Sequence, residues 1–380
     1  MPPKPKEKKI NLIKRNLEEI ITEGDLRKLI HSGEKLKHYI GFEISGKIHL
    51  GSGLISMMKI KDFMDAGVAV TVFLADWHTW INDKLGGDHE KIKKVAVGYF
   101  KEGMKACMKC LGGNPEKINF LLGSDLYRNH NEYWVTVIDV SKNASLARIK
   151  RSITILGRKE NEGVDFAKLI YPPMQVADIF FQGVHLAHAG MDQRKAHVIA
   201  RDVALNLKIK PLLDKKGNKI KPVAVHQHIL LGLGKPPSWP IPKDKLRDVW
   251  TSLKMSKSVP DSCVFIHDTP EEIRRKINNA FCPEGETILN PVLDWAKCLI
   301  FREKSSKLLI ERPQKFGGKI LYSDYRSLEQ DFRTKKLHPM DLKNAVAENL
   351  IKLLEPVRRH FAKPRVKKML QELDKMLLAK

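Results

Sequence analysis

The sequence has few cysteines and no long apolar run. Five cysteines among 380 residues are too sparse for a disulfide-stabilised fold and suit a reducing compartment. No apolar stretch approaches the roughly 20 residues that cross a bilayer, so no transmembrane helix is predicted. The start, Met-Pro-Pro-Lys-Pro-Lys, lacks the apolar core of a secretion signal. We therefore expect a cytoplasmic protein with no membrane partner.

Acidic residues are also few compared with basic ones. Lys plus Arg total 68 against 44 Asp plus Glu, which gives a formal net charge of +24. Hydrophobic residues make up 42% of the chain, an ordinary share for a globular protein, so a disordered chain is excluded. The positive charge indicates a polyanionic partner, with nucleic acid ahead of nucleotide phosphates and of an anionic membrane surface. A basic surface that serves solubility alone is the simpler alternative.

Short apolar runs alternate with helical patterns in the first half of the chain. Strands are predicted at 39–42, 68–75 and 118–122, and helices at 11–30, from 54 onward and at 89–111. This alternation predicts an α/β domain whose parallel sheet is covered on both faces. We place the first domain at 1–262, with an elaborated segment at 207–250. Residues 263–380 have a mainly helical pattern and a basic tail, and Thr269-Pro270-Glu271-Glu272 predicts a helix start.

A glycine-rich turn lies between the first predicted strand and the next helix. It reads Gly46-Lys47-Ile48-His49-Leu50-Gly51-Ser52-Gly53. The glycines allow a ligand to approach the backbone closely, and the N-terminus of the next helix offers N–H groups to phosphate. His49 can donate a hydrogen bond to a phosphate oxygen or pack against an adenine. The turn is neither a Walker A loop nor a dinucleotide fingerprint, and alone it is better explained as a turn with an incidental histidine.

A second motif combines two lysines with two serines. Lys254-Met255-Ser256-Lys257-Ser258 lies ahead of Pro260, about 200 residues after the glycine-rich turn. Lysines three apart can both reach a triphosphate, and the hydroxyls can hold the loop or bind phosphate oxygens. This composition suits a mobile loop that closes on developing charge in phosphoryl-type chemistry. A solvated basic loop is the alternative, but the pairing of the two motifs favours a nucleotide site.

One face of a predicted helix carries three polar side chains. Tyr171, Gln175 and Asp178 are spaced i, i+4 and i+7, and the residues around them are apolar. Such a face is unusual for a surface helix and natural for the wall of a pocket. Further along, Gly190-Met191-Asp192-Gln193 precedes the basic pair Arg194-Lys195. Taken one at a time, these residues are equally well explained as polar surface side chains with no specific role.

Together, these segments resemble a known enzyme family. His49-Leu50-Gly51-Ser52 resembles the HIGH motif, and residues 254–258 match the KMSKS motif, of class I aminoacyl-tRNA synthetases. The order and separation are those of the small enzymes for tyrosine and tryptophan, and nearly the whole chain resembles the archaeal-type tyrosyl-tRNA synthetases. Two positions depart from the pattern. Ser52 stands where the family often has His, and Ile44 stands where the archaeal pattern usually reads Pro-Ser-Gly.

The resemblance implies an architecture and a reaction. It implies a Rossmann-like, doubly wound catalytic domain followed by a mainly α-helical anticodon-recognition domain. It also implies ATP-dependent activation of L-tyrosine to tyrosyl-adenylate, transfer to the 3′ end of tRNA(Tyr), and a homodimer. ATP is then a substrate that Mg²⁺ accompanies, and no tightly bound protein metal is expected. Cys107 and Cys110 have zinc-type spacing, but no second cysteine pair lies near them.

The resemblance also implies roles for individual residues. Catalysis falls to His49, Ser52, Lys254, Ser256 and Lys257, and ATP binding to His49, Gly51, Gly190, Asp192, Lys254, Met255 and Lys257. Tyrosine would be held by Tyr39, Gly41, Tyr171, Gln175, Asp178 and Gln193, with Phe73, Ala75 and His78 lining the ring slot. The acceptor end of the tRNA would contact Arg151 and Arg194. These two lie within the basic runs Arg148, Lys150, Arg151, Arg158, Lys159 and Arg194, Lys195. The anticodon would contact Phe316, His338 and Asp341. Tyr39 and Asp178 would bind the phenolic hydroxyl, and buried polar groups there would reject phenylalanine.

Three other functions remain open at this stage. A tryptophanyl enzyme would share both ATP motifs and differ at Tyr39 and Asp178. A small-molecule adenylyltransferase can use a HIGH-type turn, but it needs neither the helical C-terminal region nor the +24 charge. An RNA-binding protein derived from a synthetase should have lost His49 or the lysines of the second motif, and this chain has kept them.

Two local patterns complete the predictions. Asp341 can cap a helix that carries Leu342, Val346 and Leu350 on one face. His226 and His228 alternate as in a strand, so at least one of them is expected to face outward, with no metal role.

Overall fold

The computed structural model describes residues 5–158, 162–237, 239–241, 249–250, 252–303 and 305–378. Its strands are β1 Leu17–Ile21, β2 Lys37–Phe42, β3 Ala69–Leu74, β4 Ile118–Leu122, β5 Leu186–Gly190, β6 Val223–Gln227, β7 Leu308–Ile310 and β8 Ile320–Tyr322. Its helices in the first 262 residues are α1 Pro5–Lys14, α2 Glu23–His31, α3 Ser56–Asp65, α4 Asp76–Ile81, α5 His89–Val95, α6 Lys101–Cys110, α7 Gly123–Tyr127, α8 Asn131–Lys142, α9 Leu146–Ser152, α10 Phe166–Phe181 and α11 Arg194–Val203. The later helices are α12 Pro270–Asn278, α13 Pro291–Trp295, α14 Tyr325–Arg333, α15 Pro339–Phe361 and α16 Pro364–Leu378. Three wide π-helical turns extend these helices. Gly51–Ile55 leads into α3, Ala96–Phe100 joins α5 to α6, and Ala296–Ile300 follows α13.

Six strands of the described chain form one sheet in the spatial order β1-β6-β5-β2-β3-β4. The strands from β6 to β4 run parallel, and β1 pairs antiparallel with β6. The chain starts the parallel part at its centre, β2, and builds outward to both sides, so the strand order reverses between β2 and β5. In open α/β sheets, ligands bind beyond the carboxyl ends of the strands at such a switch point. The fold therefore directs attention to the residues after Phe42 and after Gly190.

The central strands are apolar because both faces of the sheet are covered. Ile40 and Val72 pack in the core that includes α1, α3, α6 and the C-terminal helices. Tyr39, Phe73 and Ala187 pack on the other face, in the core that includes α8 and α10. The doubly wound α/β fold is confirmed, as are the strands predicted at 39–42, 68–75 and 118–122.

The helix predicted at 11–30 is wrong in its middle. Helix α1 ends at Lys14, the left-handed residue Asn16 (φ 55°) turns the chain, and β1 then adds an edge strand to the sheet. Ile20 pairs with Val225 of β6. The apolar residues here fit a helical period, but pairing with the sheet edge decides their conformation.

The segment 207–250 is more than an elaboration of the domain. It contains β6, a fully buried strand of the central sheet, preceded by a turn in which Leu213 pairs with Lys219. This five-residue strand was not predicted, because the lysine-rich turn before it and the proline cluster after it indicate a loop. Residues 238 and 242–248 of the segment lie outside the described residues.

The C-terminal region is mainly helical, as predicted. The capping box of Thr269 and Glu272 begins α12, which packs on α15, and α15 also lies along α6. One small antiparallel pair, β7 and β8, was not predicted. His338, and not Asp341, caps α15: its Nδ1 accepts the Met340 N–H at 3.2 Å, and Asp341 lies in the first turn of the helix. Within the described residues, no helix is long and apolar enough to cross a membrane.

Candidate active site

The His49 turn is fixed by backbone hydrogen bonds to a segment near the second motif. The Leu50 N–H donates to the Val264 carbonyl at 3.0 Å, and the Ile266 N–H donates to the Ile48 carbonyl at 3.0 Å. A side chain at Gly53 would come within 2.6 Å of the Ile48 side chain, so only glycine fits there. The turn therefore presents His49 at the carboxyl end of β2, at the switch point of the sheet.

The protonation state of His49 follows from its partners. Its Nδ1 accepts the Ser52 backbone N–H at 3.3 Å, so in the neutral ring the proton lies on Nε2. Burial, together with the charges of Lys257 and Lys254, lowers the pKa of His49 to about 3. The ring is therefore neutral at physiological pH, and its Nε2–H is a hydrogen-bond donor.

The two motif lysines reach different parts of the site. The Lys257 Nζ donates to the Ser45 hydroxyl at 2.9 Å, and burial lowers its pKa to about 8 despite the opposing charge of Glu43. The Lys254 Nζ lies 2.7 Å from an Asp192 carboxylate oxygen and is 42% exposed. Two cationic groups thus flank the end of β2 and the end of β5.

The loop between the two lysines is held at its base. The Ser262 hydroxyl accepts the Ser256 N–H at 3.1 Å and donates to the Ser256 carbonyl at 3.2 Å. Met255 is buried, and its sulfur would lie 3.7 Å from a side chain added at Gly51. The KMSKS-like loop therefore packs directly on the HIGH-like turn.

The C-terminal helix α16 reaches the same turn from the other side. Lys47 forms an ion pair with Asp374 at 2.7 Å. A side chain added at Gly46 would lie 3.7 Å from Leu377 and 3.8 Å from the Lys257 side chain. The turn is thus enclosed between α16 and the lysine loop.

A cleft of about 1350 Å³ opens at the carboxyl ends of β5 and β6. Its lining includes Ile55, Met58, Asp192, Gln227 and Lys254. It is large enough for a nucleotide. At its edge, a side chain on Gly190 would approach the Asp192 carboxylate to 2.7 Å, so glycine there preserves the carboxylate position.

A buried polar pocket lies beside this cleft, on the face of the sheet covered by α10. Asp178 is 1% exposed, and its Oδ1 accepts hydrogen bonds from the hydroxyls of Tyr127 and Tyr133, both at 3.0 Å. Its Oδ2 has no hydrogen-bond partner within the described residues and lies 3.7 Å from the His78 Nε2. Burial raises the pKa of Asp178 to about 8, although the two hydroxyls oppose this shift.

One helical turn earlier on α10, the side-chain amide of Gln175 also has an oxygen without a hydrogen-bond partner among the described residues. Its Nε2 donates to the Gln193 Oε1 at 3.3 Å, and the Gln193 Nε2 donates to the Ile155 carbonyl at 2.9 Å. Its Oε1 is buried, with no hydrogen-bond partner in the described part of the chain. An unpaired buried acceptor costs about 1–3 kcal/mol. The two unpaired oxygens, on Gln175 and Asp178, therefore define a place for a ligand with two separated donors.

The remaining pocket residues shape this space. The Tyr171 hydroxyl donates to the Glu43 carboxylate at 2.9 Å, and its ring packs edge-on against His78 at 4.5 Å. Tyr39 is buried against Phe73, with ring centroids 5.9 Å apart. A side chain at Gly41 would approach the Tyr39 hydroxyl to 3.2 Å, so glycine keeps this hydroxyl accessible. Ala75 closes the same core.

Sequence reasoning missed three members of the pocket. Tyr127 and Tyr133 bind Asp178 from α7 and α8, and no spacing in the sequence links them to it. Glu43 had a usable signal, because it directly follows β2 at the switch point.

The basic residues proposed for RNA form two separate groups. Arg151, Arg148, Arg194 and Lys195 line a small depression of about 200 Å³, and Arg194 is paired with Glu19 at 2.8 Å. Lys159 lies outside the described residues. In the C-terminal region, Phe316 is 61% exposed and follows Lys315, whose Nζ lies 5.0 Å from the ring centre. The Arg312 guanidinium donates to the carbonyls of Gly318 and Lys336, which brings the Phe316 loop close to His338 and Asp341.

Of the two histidines at 226 and 228, one faces inward, whereas His228 lines the open cleft with 18% of its side chain exposed. His226 is fully buried between Glu19 and His197. The His228 ring is bracketed by carboxylates of Glu18 at 3.1 Å and Asp294 at 2.8 Å. His226 is buried because both faces of β6 are covered, and His228 reaches the cleft because it lies just beyond the end of this strand.

The doubly wound sheet carries a neutral histidine and two lysines near its switch point, and one of these lysines, Lys254, lines the nucleotide-sized cleft. Together with the buried polar pocket, this arrangement is typical of an enzyme that activates a small substrate with a nucleotide. A family model described as tRNA synthetases class I (W and Y) matches residues 31–355. The chain belongs to this family and is therefore a class I aminoacyl-tRNA synthetase.

Curated relatives are similar over nearly the whole chain. The tyrosine–tRNA ligase of Thermococcus sibiricus is 59% identical over 94% of this chain and 95% of its own length. The tyrosine–tRNA ligase 1 of Pyrobaculum aerophilum is 47% identical over 98% of this chain and 99% of its own.

Among solved structures, the tyrosyl-tRNA synthetase of Pyrococcus horikoshii, complexed with L-tyrosine, superposes with a TM-score of 0.94 at 55% identity. The match covers 97% of this chain and 99% of that one. A tryptophanyl-tRNA synthetase from Aeropyrum pernix is 19% identical with a TM-score of 0.64, a likeness of fold alone.

Proposed function

We propose that the protein is a tyrosine–tRNA ligase that forms tyrosyl-adenylate from ATP and transfers the tyrosyl group to the 3′ end of tRNA(Tyr). The observation that carries the proposal is the buried Asp178, whose Oδ2 has no hydrogen-bond partner within the described residues. The two curated relatives named above are both tyrosine–tRNA ligases, similar over almost their full length, and they support the same substrate.

The pocket suits a tyrosine lying between Asp178 and Gln175. The phenolic hydroxyl fits the Asp178 Oδ2, with the Tyr39 hydroxyl alongside. The α-ammonium group fits the Gln175 Oε1, with Gln193 and Tyr171 around it. Phenylalanine would leave the buried Asp178 oxygen unpaired, which is how such a site rejects it. Tryptophan offers an indole N–H but no hydroxyl, so it does not reproduce this pairing.

The first chemical step requires no side-chain nucleophile. The tyrosine carboxylate attacks the α-phosphorus of ATP, and pyrophosphate leaves. Catalysis then depends on positioning and on stabilising the charge of the phosphates. The His49 Nε2–H, the Lys257 ammonium and the Lys254 ammonium supply this stabilisation, and ATP enters as its Mg²⁺ complex. Ser52, Ser256, Gly51 and Met255 act by holding the two loops against each other.

The second step uses the surfaces that bind RNA. The terminal ribose hydroxyl of the tRNA attacks the adenylate, and Arg151 and Arg194 bind the acceptor end. Phe316 stacks on an anticodon base, and Asp341 accepts from a guanine edge, with His338 at the start of the same helix. On this proposal the catalytic domain spans 1–262 and the anticodon-recognition domain spans 263–380. The enzyme works in the cytoplasm as a homodimer, and sedimentation as a monomer at micromolar concentration would contradict the dimer.

The deciding experiment is amino-acid-dependent ATP–pyrophosphate exchange with tyrosine, tryptophan and phenylalanine in turn. Exchange with tyrosine alone is expected, followed by charging of tRNA(Tyr). Exchange with tryptophan would show that the nucleotide site was assigned correctly and the pocket was not. No exchange from folded protein would favour a non-catalytic RNA-binding function.

A further inference from the structure

Three side chains with metal-binding chemistry meet at the edge of the cleft, away from the His49 turn. His228 follows β6, Asp294 lies on α13, and Cys298 lies four residues later in the wide turn that continues that helix. One ligand atom from each, an imidazole nitrogen, a carboxylate oxygen and the sulfur, lies within 4.8 Å of the others. All three line the cleft, so an ion in solution can reach them. Neither step of the proposed reaction uses them.

The groups behind this cluster are arranged as they are around bound metals. The His228 Nδ1 lies 3.1 Å from a carboxylate oxygen of Glu18, which leaves Nε2 directed at Asp294. The second Asp294 oxygen accepts the Leu231 N–H at 3.0 Å, which fixes the carboxylate orientation. A metal-binding histidine usually donates its other N–H to a carboxylate in this way, and such partners orient the ligands.

We propose that His228, Asp294 and Cys298 bind one divalent transition-metal ion of the zinc class, with water in a fourth position. A nitrogen, an oxygen and a thiolate form a donor set that selects zinc-like ions and discriminates against magnesium. The carboxylate and the thiolate together balance the charge of the ion. Both ring nitrogens of His228 face carboxylates, so the free ring carries two N–H protons. Binding therefore replaces the His228 Nε2 proton and the Cys298 thiol proton, and both protons are released to solvent.

The distances are compatible with a small rearrangement on binding. The His228 Nε2 lies 2.8 Å and the Cys298 sulfur 3.9 Å from the same Asp294 oxygen. Tetrahedral coordination with bonds of about 2.0–2.3 Å separates ligand atoms by roughly 3.3–3.8 Å. Side-chain shifts of under about 1 Å therefore suffice. The ion would join the end of β6 in the first domain to α13 in the C-terminal region.

Cobalt is the most informative probe of this site, because a thiolate ligand gives Co²⁺ a near-ultraviolet charge-transfer band. The full chain, freed of metal with a chelator, is titrated with Co²⁺ without ATP or tRNA. We expect one equivalent to bind with visible bands of a tetrahedral ion, to be displaced by Zn²⁺, and to resist excess Mg²⁺. Because neither substrate is present, the outcome is independent of the proposed ligase activity.

Variants separate this site from any other cysteine or histidine. Cys298→Ser should lose the charge-transfer band, and Cys110→Ser, a matched change of a half-buried thiol on α6, should keep it. Glu18→Gln retains all three ligands and should weaken Co²⁺ binding by about tenfold or more. The proposal is overturned by the absence of stoichiometric binding, by a band that survives Cys298→Ser, or by unchanged affinity in a folded Glu18→Gln protein.

Discussion

The amino-acid pocket and the phosphate-binding loops are built in opposite ways. In the pocket, Tyr171, Gln175 and Asp178 stand on one helix and are each at most 9% exposed. On the phosphate side, Lys254 is 42% exposed and forms an ion pair with the Asp192 carboxylate. Packing fixes the side chains of the pocket, whereas the Lys254 side chain extends toward solvent. On the proposed function, the amino acid is therefore recognised in the core, and the phosphates meet Lys254 at a more exposed position.

Burial shifts the pKa of one group in each region, in opposite directions for the acid and the base. It raises the pKa of Asp178 to about 8 and lowers that of Lys257 to about 8. In each case burial weakens the charged form, as expected in a low-dielectric site. Each region therefore gains from a substrate that supplies the missing counter-charge or donor: phosphate for the lysine, and an ammonium group and a hydroxyl for the pocket.

The largest expected effect is the loss of rate when a lysine on the phosphate side is removed while the amino-acid pocket is left intact. Lys257→Ala should slow adenylate formation by about 10²- to 10³-fold, the usual cost of one transition-state donor. Tyrosine affinity should change less than about twofold, because Lys257 does not touch the pocket. Single-turnover rates and equilibrium binding of tyrosine measure the two quantities. Lys216→Ala, at an exposed turn, is the matched control, and an equal loss of rate and affinity would refute this division.

The next effect probes the pocket. Asp178→Asn replaces a buried carboxyl group that accepts from two tyrosines, and leaving a buried polar group unsatisfied costs about 1–3 kcal/mol. We expect kcat/KM for tyrosine to fall by about 10- to 150-fold, with a much smaller change for phenylalanine. Asp214→Asn, at an exposed turn, serves as the control. An undiminished preference for tyrosine over phenylalanine would show that Asp178 does not bind the phenolic hydroxyl of the substrate.

A pH series tests the same carboxyl group without substrate. Because the pKa of Asp178 is raised to about 8 in the folded protein, the folded state binds more protons than the unfolded state between about pH 4 and 8. The stability that this group contributes is complete at low pH and is lost as the pH rises through 8. The stability difference between the parent and Asp178→Asn should therefore shift against the parent as pH rises. Denaturation curves at several pH values measure it, and a constant difference would contradict the assignment.

The smallest effect concerns the helix behind the phosphate loops. Asp374→Asn removes the ion pair to Lys47, and exposed pairs contribute about 0.2–1 kcal/mol. We expect adenylate formation to slow by less than about fivefold, with tyrosine affinity unchanged. The matched control is Glu372→Gln. Glu372 lies on α16, as Asp374 does, but its ion pair is with Lys94 of α5, away from the His49 turn. Equal effects of both changes would indicate general destabilisation of α16.

The sequence predicts those parts of the molecule in which local pattern and fold agree. The strands at 39–42 and 118–122 are apolar runs in a sheet covered on both faces, and the Thr269–Glu272 box has one plausible structure. By contrast, β1 and β6 are short strands whose conformation depends on each other across about 200 residues. No local pattern encodes such pairing.

The candidate site was predictable to a similar degree. The residues His49, Lys254 and Lys257 lie in compact motifs, and the structure brings their segments together. Tyr127 and Tyr133 come from separate helices and meet only at Asp178. Their contribution depends on tertiary packing, which residue spacing cannot express. The His338 cap was missed because asparagine, aspartate, serine and threonine are the residues expected at that position.

The position of α16 against the His49 turn has a consequence for how this chain can change over evolutionary time. Gly46 and Leu377 are more than 300 residues apart in sequence, yet a side chain at the first would touch the second. A larger residue at either position requires a smaller one at the other, and a charge change at Asp374 alters the environment of Lys47. We therefore expect these positions to co-vary among relatives, so that the last helix evolves under the constraints of the catalytic turn.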